Sequence, residues 1–196
     1  MFLFFNQILI LLSQILLDNR YLSDEGNDCL LSVDGTDFLS PEYGKKFFSH
    51  KFRHSGLRYE VALSIKTGWI CWISGPWNPG EWNDIEIFRM SLMTFLEPYE
   101  RVEADDGYLG EAPLKVRCPK CVTVPAERKE MMSMVRHRQE TINKRFKDWK
   151  ILDSQFRHDV RLHRDVFAAI AVLSQIAIQH NGEDLFEVEY SDRMEE

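Results

Sequence analysis

The sequence predicts an α/β fold, a mixed sheet flanked by helices, and three patterns carry that expectation. Tyr59, Val61, Leu63 and Ile65 alternate with Arg58, Glu60, Ala62 and Ser64, the period of two that marks a strand. Two stretches place apolar residues at helical spacing instead: Ile85, Phe88, Leu92, Phe95 and Leu96, and later Met131, Val135, Ile142, Phe146 and Trp149. Residues 166–178 are apolar almost all round, as expected of a helix held inside a core. At 196 residues the chain has room for one domain of ordinary size with a substantial core.

Taken in order, the run from Phe2 to Leu17 is strongly apolar. It lacks a positive n-region and a small-residue cleavage site, and Asn6, Gln7 and Gln14 interrupt it. It also falls short of the ~20 apolar residues that a membrane span needs. The expectation for residues 1–27 is an apolar segment docked on the core, or the remnant of a truncated upstream domain, and no membrane partner. Asp18 to Asp28 is polar and turn-rich. Cys29-Leu30-Leu31-Ser32-Val33 reads as a short buried strand that Asp34-Gly35-Thr36-Asp37 closes, presenting an acid at the rim of a sheet. The alternating strand near 58–65 turns at Thr67-Gly68 and returns through Trp69 to Ser74 as a hairpin. Gly75-Pro76-Trp77-Asn78-Pro79-Gly80 then breaks the chain.

Asn83 and Glu86 suit a capping box at the start of the first helix, and Pro98 stops it. Arg101 to Ala104 is the next strand, ending at Asp105-Asp106-Gly107-Tyr108, a second acid followed by glycine. Gly110 to Pro125 reads as a Gly/Pro-rich loop, and a long helix begins near Ala126. A short irregular link follows Trp149. The final helix starts near Asp159 and ends at Gly182 as a C′ glycine. Residues 185–196 form an acidic tail.

The net charge of −7 does not advertise a polyanion partner, but its distribution does. Residues 126–164 hold eleven Lys/Arg against six Asp/Glu, and residues 45–58 hold five Lys/Arg, two His and no acid. Cys29 and Cys71 sit in apolar runs as small buried residues, whereas Cys118-Pro-Lys-Cys121 is a lone C-x-x-C without a second pair to complete a zinc site.

With Ile142 as zero on a helical projection, Arg136, Glu140, Asn143 and Lys147 gather within about 60° of one another, opposite the apolar stripe. Alone, such a face is ordinary solvated surface, and Glu140 with Lys144 an ordinary i,i+4 pair. Its meaning changes beside the two strand-end acids. Asp34, Asp105 and Glu140 supply hard carboxylate oxygens of the kind that Mg²⁺ or Mn²⁺ prefers. Two such ions about 4 Å apart serve phosphodiester chemistry.

Here the chain resembles the DDE transposases of the Harbinger and related insertion-sequence type. Asp34-Gly35-Thr36 is similar to that family's first-acid motif, Gly80-Glu81-Trp82-Asn83-Asp84 to its G-x-x-(H/N)-D segment, and Asp105-Asp106-Gly107-Tyr108 to its D-x-G-Y motif, which selects Asp105 over Asp106. Arg136, Glu140 and Lys147 reproduce an R-x3-E-x6-K spacing found in a related branch, with Ser133 where that signature opens on Tyr. The resemblance runs from about Asn19 to Phe186. It implies an RNase H-like endonuclease domain over 28–184, with Asp34, Asp105 and Glu140 as catalytic ligands of two Mg²⁺ or Mn²⁺ ions. It further implies DNA contacts from Arg136, Lys147, Asn143 and Lys144, with Lys45, Lys46, Lys51 and Arg53 adding phosphate contacts from the basic loop. Asp37 and Asp84 are spare acids, read as caps or structural hydrogen-bonders.

Such transposases carry a helix-turn-helix segment ahead of the catalytic domain, and only some thirty residues precede Asp34. The expectation is therefore a catalytic half, acting on transposon ends and target DNA in a nucleus. A separate DNA-binding subunit or oligomer would supply the remainder. The alternative is a catalytically silent, domesticated derivative that binds DNA or nuclear proteins.

Overall fold

The computed structural model describes residues 15–22, 29–120 and 126–181. Most of the apolar N-terminal run, Cys121, Gly182 and the acidic tail lie outside them, as do the expectations that fall there. The strands are β1 (Cys29–Leu39), β2 (Phe48–Ser49), β3 (His54–Ser64), β4 (Ile70–Trp77), β5 (Arg101–Glu103) and β6 (Val116–Arg117). The α-helices are α1 (Asp84–Met90), α2 (Ala126–Lys147), α3 (Lys150–Asp153) and α4 (His163–Asn181). Together they make a mixed α/β fold: one six-stranded mixed sheet flanked by helices. No helix among the described residues is long and apolar enough to cross a membrane.

The sheet runs β2-β3-β1-β5-β6, with β4 also pairing β3. β1 is the hinge of this order: it pairs antiparallel with β3 and parallel with β5, which in turn pairs parallel with β6. Alternate residues of β1 therefore face two different layers. Phe38 belongs to a core with Tyr59, Val61, Leu63, Ile142, Phe146, Phe167 and Ile170, on the side of α2 and α4. Leu31 and Val33 belong to a second core with Ala62, Phe88, Leu92, Val102 and Tyr108, on the side of α1.

The first strand departs from expectation. It does not close at Asp34-Gly35 but continues to Leu39, in unbroken register with β3 from Leu31 opposite Ser64 to Leu39 opposite Gly56. Gly35 is no turn residue; it clears space, since a Cβ there would lie 2.2 Å from Oδ1 of Asp84. Gly68, with φ of 71°, is the glycine that a turn requires, and it sits where the hairpin was expected to reverse. β3 alternates in sequence without a solvent face. Arg58 and Glu60 are buried along with their apolar neighbours, because they face the α1 layer and find partners there. Arg58 Nε and Nη2 donate to Asp37 Oδ1 and Oδ2 at 2.7 and 2.9 Å, and Ser49 Oγ donates to Asp37 Oδ2 at 2.5 Å. β4 runs three residues further than expected, to Trp77, across a register shift against β3.

The capping box forms as expected. Glu86 N donates to Asn83 Oδ1 at 3.0 Å, and Asn83 N to Glu86 Oε2 at 3.1 Å. The helix it starts is shorter than its apolar spacing suggested. The single Ser91 hydroxyl hydrogen is shared between Ile87 O, 2.7 Å from Oγ, and Glu60 Oε1, 2.5 Å from it, a side-chain alternative to the helical ladder. The chain continues as a 3₁₀ turn over Leu92–Phe95, which leaves Phe95 exposed. β6 falls inside the stretch expected to be loop; its two residues are too few to show a period. In α2 the stripe Val135, Ile142 and Phe146 is buried, but Trp149 lies past the helix end and is exposed. Arg138 takes an unexpected place on that stripe, buried with Nη1 donating to Ile65 O at 2.5 Å. α4 begins after a 3₁₀ turn capped by Asp159 and buries Phe167, Ile170, Ala171, Val172 and Ile178, leaving Leu173 partly out.

Candidate functional site

A cleft of about 480 Å³ opens between the middle of β1, the end of β5, the β2–β3 turn and α2. Asp34, Asp105 and Glu140 all line it, from three elements far apart in sequence. Arg136, Asn143, Lys144 and Lys147 line it from α2, and Lys51 from the hairpin turn. Of the remaining basic-loop residues, Lys45, Lys46 and Arg53 are exposed and do not line the cleft. Lys46 Nζ instead sits 4.7 Å from the centre of the Phe47 ring, and its carbonyl accepts from Gly80 N at 2.9 Å.

Asp34 is the best-defined member. It stands mid-strand, on the face of β1 that looks to α2, where Ser32 Oγ donates to Gln139 Oε1 at 3.0 Å. Asp34 Oδ1 accepts from Gly35 N at 2.8 Å, and Oδ2 accepts from Asn143 Nδ2 at 3.0 Å. Burial raises its pKa to about 6; the nearby charges of Asp84 and Asp105 push the same way, and Lys51 and the Gly35 N–H act against them. A carboxylate held charged in such a place is costly unless a cation joins it.

Asp105 follows β5 and caps the 3₁₀ turn Asp106–Glu111, accepting from Gly107 N at 2.8 Å. Asp106 is committed elsewhere, to Lys120 at 3.1 Å. Glu140 is exposed on the rim, and it is not closed into an ion pair with Lys144. No group of three or more His, Cys, Asp or Glu side chains among the described residues is gathered as a ready ligand set. The fit to a divalent ion is one of donor type and of charge: hard carboxylate oxygens, one of them desolvated, around a shared opening.

The cationic half of the cleft is equally built. Lys147 Nζ lies 5.0 Å from the centre of the Phe52 ring and 6.0 Å from that of Phe38. Burial lowers its pKa, and the charge of Lys51 adds to the effect. Two ammonium groups brought together at one opening form a place where an anion is welcome.

The spare acids are structural. Asp37 is paired with Arg58 as described. Asp84, first residue of α1, lies 3.1 Å from Arg58 Nη1 and presses on Gly35. Burial raises the Asp84 pKa, with Arg58 opposing. The guanidinium of Arg58 is itself held above its ordinary range: burial works against the charge, but Asp37 and Asp84 outweigh it. Cys118 is buried and disulfide-bonded, whereas Cys29 and Cys71 are buried and outside any disulfide.

No family model, curated protein or solved structure matches the chain. The site therefore rests on its own geometry.

Two cleft residues escaped sequence reasoning. Glu103 is buried on β5, 3.9 Å from Arg117, and Gln139 is buried on α2 with Nε2 donating to Val61 O at 3.1 Å. An acid inside a strand and an amide beside the apolar stripe were the available signals.

Proposed function

We propose that this chain is a divalent-metal-dependent DNA endonuclease and strand transferase of RNase H-like fold, transposase-derived and acting in a nucleus. The observation that carries the reading is the cleft itself, lined by Asp34, Asp105 and Glu140 with Lys51, Lys144, Lys147 and Arg136 around them. Supporting the fold assignment is the strand order. An antiparallel hairpin leads into a parallel pair, with the first acid on the central strand, the second just past its parallel neighbour and the third on a later helix.

Asp34, Asp105 and Glu140 would hold two Mg²⁺ or Mn²⁺ ions, which when bound supply an activated water or 3′-OH and a stabilised leaving oxygen. The protein's own share is positional. Gly35 N–H and Asn143 fix the Asp34 carboxylate, while α2, anchored through Ile142 and Phe146, carries Glu140 to the opposite wall. Lys147, Lys51, Lys144 and Arg136 would bind the flanking phosphates and set the register of the scissile one.

Incubation with supercoiled plasmid in Mg²⁺ or Mn²⁺ tests this. Wild-type protein should nick the DNA and Asp34→Asn should not. Equal nicking by both would overturn the assignment, and DNA binding without metal-dependent nicking would favour the silent derivative.

A further inference from the structure

Asn143 differs from the other polar residues on the cleft face of α2. Its Nδ2 donates to Asp34 Oδ2 at 3.0 Å, yet its Oδ1 is sealed from solvent with no hydrogen-bond partner. Leaving a buried amide oxygen unpaired forfeits its hydration without return, a burden that an apolar side chain would not carry. Such an orphan calls for an explanation in terms of a role or an unseen ion.

Both donors to Asp34 are neutral N–H groups, from Gly35 and from Asn143. The amide thus occupies the position where a positive charge would serve a buried carboxylate better. A side-chain amide has two similar orientations, related by a half-turn that exchanges its oxygen and nitrogen. Because Oδ1 has no partner, that half-turn sacrifices one hydrogen bond only, the one to Asp34. Amide oxygens are also accepted ligands of hard divalent ions. Asn143 lies three residues beyond Glu140, so the two side chains leave one face of α2.

Resting on the cation-dependent reading of the cleft, we propose that Asn143 is itself a cation ligand. Its amide turns from N–H donor toward Asp34 in the cation-free cleft to oxygen donor toward the ion in the loaded one. Asn143 and Asp34 then share the ion, and the amide acts as its placeholder when it is absent.

The test is Mn²⁺ titration of the full chain, read by electron paramagnetic resonance, for wild type, N143A, N143D and D34N. The side-chain amide signals of Asn143 are followed by NMR in parallel during Mg²⁺ titration. N143A should weaken Mn²⁺ binding about ten- to hundredfold. N143D keeps the shape, supplies a carboxylate and should bind at least as tightly as wild type. The Asn143 amide signals should move as Mg²⁺ saturates. If N143A binds like wild type while D34N does not, Asn143 is no ligand and the cation reading stands without it. If N143D binds no better than N143A, Asn143 only positions Asp34, and the proposal is overturned. If D34N also binds like wild type, or wild type does not bind, the cation reading falls and the proposal with it.

Discussion

Gly35→Ala is the substitution that most sharply probes how the site is assembled. A methyl group at residue 35 would lie 2.2 Å from Asp84 Oδ1 and 3.0 Å from its Cγ. The Asp84 side chain is short and has little freedom to yield, because its Oδ1 lies 3.1 Å from Arg58 Nη1. Arg58 is held in turn by both oxygens of Asp37. The methyl group must displace either the carboxylate, opening the Asp84–Arg58 pair, or β1, shifting Asp34. Overpacking of this kind costs about 1–3 kcal/mol. For a chain of this size, 2 kcal/mol corresponds to roughly 4–8 °C in Tm. Urea unfolding followed by tryptophan fluorescence measures it. The double mutant with Asp84→Ala removes the atoms that the new methyl group meets. It should be more stable than the sum of the two single changes predicts, with a coupling of about 1–2 kcal/mol. A loss below ~0.5 kcal/mol for Gly35→Ala, or strict additivity with Asp84→Ala, would refute this account of the glycine.

Asp34→Asn should stabilise the protein at pH 7 by on the order of 2 kcal/mol, discounted for partial exposure. The wild-type carboxyl titrates near 6 in the fold against 3.8 unfolded, so its ionisation penalty is full above pH 6 and gone below about 4. Denaturant melts of both proteins from pH 4 to 8 check this, and a difference that does not shrink toward pH 4 would contradict it. His163, buried and paired with the Tyr59 hydroxyl at 2.8 Å, titrates near 4 because burial disfavours its charge. The unfolded chain takes up that proton first as pH falls below 6.5, so stability should decline between about pH 6.5 and 4 by about 3 kcal/mol in all. The decline should be missing from the corresponding profile of His163→Gln. Lys147→Gln should weaken DNA binding across unrelated sequences and reduce the slope of log affinity against log salt by about one. An unchanged slope would remove Lys147 from the phosphate contacts.

Local chemistry was readable where few residues decide the outcome. The capping box at Asn83 and Glu86, the turn at Gly68 and the apolar run of α4 all express short-range rules, and the structure follows them. Long-range pairing was not readable. Asp34-Gly35 looks like the end of a strand, yet β3 supplies a partner for every residue to Leu39, and Gly35 answers to a carboxylate 49 positions away. Arg58 and Glu60 alternate with apolar residues as an exposed face would, but in the interior Asp37 pairs with Arg58, and Trp72 and Ser91 donate to Glu60 Oε1. Arg138 projects only about 40° from Ile142 on a helical wheel, so its burial was foreseeable from the same stripe, had a buried cation been admitted. The residues of the polar face of α2 line one cleft with Asp34 and Asp105. Which of them touches Asp34 depends on side-chain reach, and the contact falls to Asn143, with Glu140 out on the rim.

The most direct test of a cation-dependent cleft is crystallographic: crystals soaked in Mn²⁺, with data collected at a wavelength where manganese scatters anomalously. The expected result is an anomalous peak with oxygens of Asp34 and Asp105 about 2.1 Å away, and at saturation a second peak about 4 Å from the first, toward Glu140. Peaks confined to surface carboxylates elsewhere, with the Asp34 carboxylate still bonded only to Gly35 and Asn143, would contradict it.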